Sequence, residues 1–145
     1  MRVMVLIKAT EGTEAGAMPS QEELEQMTAF NEELVNAGVM VAGDGLHPTS
    51  RGVRVVFNGG EREVIDGPFP ETEKLLAGYW LWQVRSLDEA VEWAQRIPNP
   101  TGEHGVVEIR PVYDVEDFGP ELTPELREKS QRLARQLRER AEQEG

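Results

Sequence analysis

The chain has 145 residues, 39% hydrophobic and 29% charged, with a formal net charge of −12; its length and make-up fit one modest domain. It contains no cysteine, which excludes disulfides, thiolate metal sites and cysteine catalysis. No apolar run approaches the roughly 18 residues of a membrane span, and Arg2–Lys8 is too short and too soon charged for a signal peptide, so a cytoplasmic protein with no membrane partner is expected.

The acidity is unevenly spread. Residues 121–145 hold six basic side chains and six glutamates, so the excess falls on residues 1–120, with nine basic and twenty-one acidic groups. Such a body repels phosphate backbones and argues against nucleic acid as a partner. The basic side chains of the tail, interspersed with glutamates, read as a solvated helix face.

Met1–Ala9 reads as a strand with Val3, Val5 and Ile7 on one face and Met4 and Leu6 on the other. Ser20 and Glu23 form a capping box that opens a helix. Leu24, Met27, Asn31, Leu34 and Val35 make its stripe, Phe30 lies at the margin, and Gly38 closes it. Val39–Ala42 reads as a short strand running into a tight loop, Gly43–Pro48. Val53, Val55 and Phe57 alternate with Arg54 and Val56 before Asn58-Gly59-Gly60, a hairpin turn from which Glu63–Asp66 returns.

Gly67-Pro68 breaks that strand, and Phe69–Leu76 connects to a second strongly apolar strand, Gly78–Val84. Ser86 and Glu89 make a second capping box. Leu87, Ala90, Val91, Ala94 and Ile97 follow at helical spacing as far as Pro98. Val106–Val112 is the last strand, and Pro111 predicts an edge position for it. Pro124 opens a final helix over Glu125–Glu144. Its narrow stripe of Leu122, Leu126, Leu133 and Leu137 predicts peripheral packing.

This order predicts an α+β fold: a ferredoxin-like sandwich with an antiparallel sheet, both helices on one face, and an appended C-terminal helix. The expected division is a domain over 1–113 and a linker with an amphipathic helix over 114–145. The strands at 3–7 and 79–84 are apolar on both faces, whereas a sheet covered on one side alternates apolar with polar residues. A second copy of the chain is the simplest cover, so a homodimer with an enclosed small-molecule pocket is expected.

Ile65-Asp66-Gly67-Pro68-Phe69 brings a family into view. Together with Val5-Leu6-Ile7, Ala37-Gly38-Val39, Gly43-Asp44-Gly45-Leu46, Gly78-Tyr79-Trp80-Leu81 and Val107–Val112, it resembles the YciI-like, DGPF-motif (YCII-related) family over residues 1–112. The resemblance implies a dimeric α+β barrel and a small pocket protein, with enzymatic roles suspected for some members. Certain members pair an early histidine with a pocket aspartate, whereas the first histidine here is His47.

Several residues carry candidate chemistry. Asp66 ends a strand, where it can act as a general base or support the Gly67-Pro68 turn by accepting a backbone N–H such as that of Phe69. Asp44 and His47 share a glycine-rich loop. There a carboxylate beside the imidazole gives an acid–base pair, or the loop is ordinary turn chemistry. Arg110 and Glu108 share a face of the last strand, positioned to bind an anionic substrate or to form an edge-strand charge pair. Tyr79 and Gln83 are expected to face the pocket, and Trp80 and Trp82 the core. No histidine spacing or phosphate-binding glycine loop points to a metal or a nucleotide, so no cofactor is expected. Two functions remain: a cofactor-independent lyase or isomerase with Asp66 or Asp44 as base and His47 as acid, or a non-catalytic ligand-binding or regulatory dimer. A lesser third is an interaction module working through the terminal helix.

Overall fold

A computed structural model describes residues 1–144 of the chain. Met1–Val112 and the segment from Tyr113 onward form separate compact units. The first holds a four-stranded sheet of β1 (Arg2–Lys8), β2 (Met40–Gly45), β5 (Leu76–Gln83) and β6 (Val107–Pro111). A separate hairpin is made of β3 (Val53–Asn58) and β4 (Glu61–Asp66), and the helices are α1 (Glu11–Glu14), α2 (Gln21–Asn36) and α3 (Leu87–Ala94). The sheet order is β2-β5-β1-β6, with every neighbouring pair antiparallel. This is the α+β, ferredoxin-like arrangement, with the β3–β4 hairpin inserted between its second and third strands.

Alternation along the two central strands builds the core. Val3, Val5, Trp80 and Trp82 point to one face and are buried with Phe30 and Leu34 of α2 and Ala90 of α3. The Phe30 ring stands edge-on to Trp80, centroids 5.9 Å apart, and to Trp93 at 6.3 Å, the geometry that aromatic quadrupoles favour. Phe30 is therefore the centre of the buried stripe rather than its margin. Leu24 and Val35, expected inside, are more than half exposed. Spacing alone leaves a helix free to rotate by a residue, and the indole rings below decide where it stops.

Ser20 caps α2 as expected, its hydroxyl accepting from the Glu23 N–H at 3.2 Å while the Glu23 carboxylate accepts from the Ser20 N–H. The second box is half formed. Ser86 accepts from the Glu89 N–H, but the Glu89 carboxylate turns to the N–H of Arg85.

Strand β2 runs on to Gly45, paired with Gly78, where a loop from Gly43 was expected. A Cβ on Gly43 would lie 2.5 Å from Cδ1 of Trp80, so this glycine clears room for an indole within a strand. The hairpin turn is Gly59-Gly60, and β4 starts at Glu61, two residues earlier than expected. Strand β6 lies at the sheet edge, as Pro111 at its end indicates. In the second unit, α4 (Pro124–Glu144) follows a Thr123 hydroxyl that accepts the Leu126 N–H, and α4 buries none of its side chains.

Candidate functional site

Two regions gather the chemically capable side chains. The first is the sheet face turned away from α2 and α3. Register aligns Glu108, Leu6, Tyr79 and Asp44 in one row across four strands, and Arg110, Met4, Leu81 and Ala42 in the next. The middle of each row is apolar and half-buried, whereas Asp44, Glu108, Arg110 and Gln83 are exposed. The Tyr79 hydroxyl donates to the Asp44 carboxylate over 3.4 Å, and Lys8 sits 3.9 Å from Glu108. Arg110 and Glu108 thus share the face as expected, one on each row. Gln83 donates to the carbonyl of Met1 at 3.1 Å.

The second region is a shallow, open cleft of about 410 Å³ between the β2–β3 connection and the segment entering β5. Leu46, Pro48, Phe69, Leu75 and Leu76 supply apolar walls, and His47, Thr49, Arg51, Arg54 and Lys74 the polar groups. Local structure explains how these converge. A 3-10 turn over Thr49–Arg51 brings Arg51 back towards His47, one guanidinium nitrogen lying 3.2 Å from both ring nitrogens. The Arg54 guanidinium lies over the Phe69 ring, 3.9 Å from its centroid. A further depression of about 540 Å³ along α3 mixes Arg85 and Arg96 with Asp88, Glu89 and Glu92. Its arginines are already paired, Arg85 with Glu89 and Arg96 with Glu33.

The turn through Gly67 and Pro68 leads directly into Phe69 of the cleft lining, but Asp66 does not support it. The Phe69 N–H donates to the Thr49 hydroxyl at 3.0 Å, and that hydroxyl and the Thr49 N–H both donate to the Glu14 carboxylate. Gly67 donates to the carbonyl of Gly52 at 2.9 Å, and a Cβ on it would stand 1.7 Å from the Thr49 carbonyl oxygen. The chain passes so close there that only glycine fits. The Asp66 side chain is exposed and accepts no hydrogen bond among the described residues.

The structure distributes the three acid–base candidates rather than uniting them. Asp44 faces Tyr79, His47 faces Arg51, and Asp66 ends the hairpin opposite Val53. The expected Asp44–His47 pair is therefore absent: the neighbour of the imidazole is a cation. Asp44 lies within β2, whereas His47 lies beyond its end, drawn towards Arg51 of the following 3-10 turn. Arg51, Arg54 and Phe69 were missed as site residues. Their trace in the sequence is that only nine cations occur in the acidic 120-residue body, and two of them, Arg51 and Arg54, stand three positions apart, flanking Gly52 and Val53. Among the described residues, no group of three or more His, Asp or Glu side chains is placed to hold a metal ion, and no helix is long and apolar enough to cross a membrane.

With this fold and cleft in place, comparison with known proteins assigns the class. The YCII-related domain model matches residues 1–116, and the chain belongs to that family. A relative from Rhizobium meliloti (strain 1021), named uncharacterized protein R00369, is 35% identical over 97 residues, covering 64% of this chain and 78% of the relative. Among solved structures, 5-chloro-2-hydroxyhydroquinone dehydrochlorinase (TftG) from Burkholderia phenoliruptrix AC1100, in complex with 2,5-dihydroxybenzoquinone, aligns over 82% of this chain and all of its own, with 11% identity and a TM-score of 0.46.

Proposed function

We propose that the chain is a small-molecule pocket protein whose ligand sits in the cleft between Leu46–Arg54 and Phe69–Leu76. The observation that carries this is the make-up of the cleft: apolar walls with a few polar groups converging from one turn, the pattern of small-ligand sites. In its enzymatic form, a cofactor-independent lyase or isomerase, His47 is the proton donor at the ligand. Asp66 and Asp44, the bases of that reading, do not line the cleft, so His47 is the one acid–base group it places there. In its non-catalytic form the same cleft binds without them. Titrating the ¹⁵N-labelled protein with a panel of small organic fragments tests the binding. Shifts should cluster at Leu46–Gly52, Phe69, Leu75 and Leu76. Hits mapping only to the α3 depression or to the sheet face sink the proposal.

The sheet face favours a second element, a homodimer. Met4, Leu6, Tyr79 and Leu81 form an apolar strip on the side no helix covers, and an exposed strip of that kind marks an association surface. A second copy laid over it would enclose Asp44, Tyr79, Gln83, Glu108 and Arg110 between subunits, where they can contact a ligand. Sedimentation at micromolar concentration tests this, with a mass near twice 16.3 kDa expected and a stable monomer refuting it.

A further inference from the structure

We infer that the ligand of the cleft is an organic anion, one with a carboxylate or phosphate head on an apolar body; this rests on the cleft being the binding site. The charge distribution carries the inference. Of the nine cations in residues 1–120, Arg51, Arg54 and Lys74 line this one cleft, and no carboxylate lines it with them. The surrounding body holds twenty-one acidic groups, and, among the described residues, the two carboxylates that touch lining residues, Glu14 on Thr49 and Glu71 on Lys74, leave both arginines free of one.

The state of each cation sharpens this. Lys74 is engaged by Glu71 at 2.6 Å. Arg51 and Arg54 have no carboxylate partner among the described residues. Arg51 has one guanidinium nitrogen 3.2 Å from both ring nitrogens of His47, which places its charge at the cleft beside a second polar group. The Arg54 guanidinium carbon lies 3.9 Å from the Phe69 ring centroid, and a guanidinium held on an aromatic ring can still offer N–H groups to an anion. The apolar walls, Leu46, Phe69, Leu75 and Leu76, then receive the body of the molecule. Inorganic anions alone would leave those walls unused.

Calorimetry on the full chain at low salt, with benzoate, its neutral counterpart benzamide, and inorganic phosphate, tests the inference. Benzoate should bind at least about tenfold more tightly than benzamide and more weakly as salt is raised. Arg51→Met should weaken benzoate by about tenfold or more, whereas Arg85→Met, outside the cleft, should not. Phosphate binding more tightly than benzoate would place a phosphate head in the site and benzoate ahead of phosphate a carboxylate; either outcome supports an anion site. Benzamide binding in the cleft as well as benzoate would overturn the anion inference and leave the pocket standing. No binding by any of the three, together with a fragment panel that avoids the cleft, would remove both.

Discussion

The Glu14 carboxylate accepts two hydrogen bonds from Thr49, one from its backbone N–H at 3.1 Å and one from its hydroxyl at 2.6 Å. The same hydroxyl accepts the Phe69 N–H, so a one-turn helix near the N-terminus is tied through one threonine to the turn that follows the hairpin. Two-stranded hairpins are marginal alone, and β3 and β4 are exposed along their whole length. Thr49 is thus an anchor for the hairpin base and the cleft lining together.

Thr49→Val keeps the shape and the backbone N–H bond to Glu14 but removes the hydroxyl that donates to Glu14 and accepts from Phe69. The half-buried bond to a charged carboxylate sets the scale, and a loss of about 1.5–3 kcal/mol is expected. Urea unfolding of the variant measures it, and amide exchange at Phe69 should accelerate. A midpoint unchanged from the parent would show that the Thr49 hydroxyl contributes nothing to stability.

Asp66→Ala should melt within about 0.5 kcal/mol of the parent, as exposed side chains without partners usually do. The turn it was expected to support is held by Thr49 instead. Asp66→Asn, assayed on the same samples once a substrate is found, separates stability from proton transfer. Parent-like melting with turnover reduced by orders of magnitude would make Asp66 the base, whereas unchanged turnover would eliminate it.

Gly67→Ala should be the most damaging single-methyl change in the chain. Its Cβ would meet backbone at 1.7 Å, and backbone cannot swing aside as a flexible side chain can. A cost of about 3 kcal/mol or more is expected, at or beyond the upper end for overpacking. Gly43→Ala meets the buried Trp80 indole at 2.5 Å, itself held by a 2.9 Å bond to Asn31, and should cost about 1–3 kcal/mol. Thermal melts of the two variants give the ranking, and the reverse order would refute it.

Leu81→Asp tests the uncovered sheet face. In a single chain the substitution lies on a half-exposed surface and should leave folding nearly intact; in a sheet-to-sheet dimer it buries an unpaired charge. Sedimentation of a folded monomer is expected. A variant that stays dimeric places the interface elsewhere.

Removing Glu121–Gly145 should leave a cooperative melt, because α4 buries no side chain and belongs to a unit separate from Met1–Val112. Outright unfolding of the shortened chain would assign the helix to the core.

What the sequence determined by itself was whatever local rules govern. Alternation along Val3–Ile7 and Tyr79–Gln83, the Ser20–Glu23 box, the Gly59-Gly60 turn and the edge proline are all short-range signals. Each is written in neighbouring residues, and together they specify the order of elements and hence the ferredoxin-like sheet. Tertiary structure decided the rest, because it depends on residues distant in the chain. The rotation of α2 follows from Phe30 meeting Trp80 and Trp93. Continuation of β2 through Gly43 follows from an indole 37 positions away in the sequence. The support of the Gly67 turn comes from Thr49 and Glu14, 18 and 53 positions away, which no local motif around Asp66 announces. The cleft is the clearest case. His47 and Arg51 are near neighbours in sequence, but Phe69 meets Arg54 only because the hairpin folds back on itself. A site assembled by chain reversal has no signature in any single window of residues.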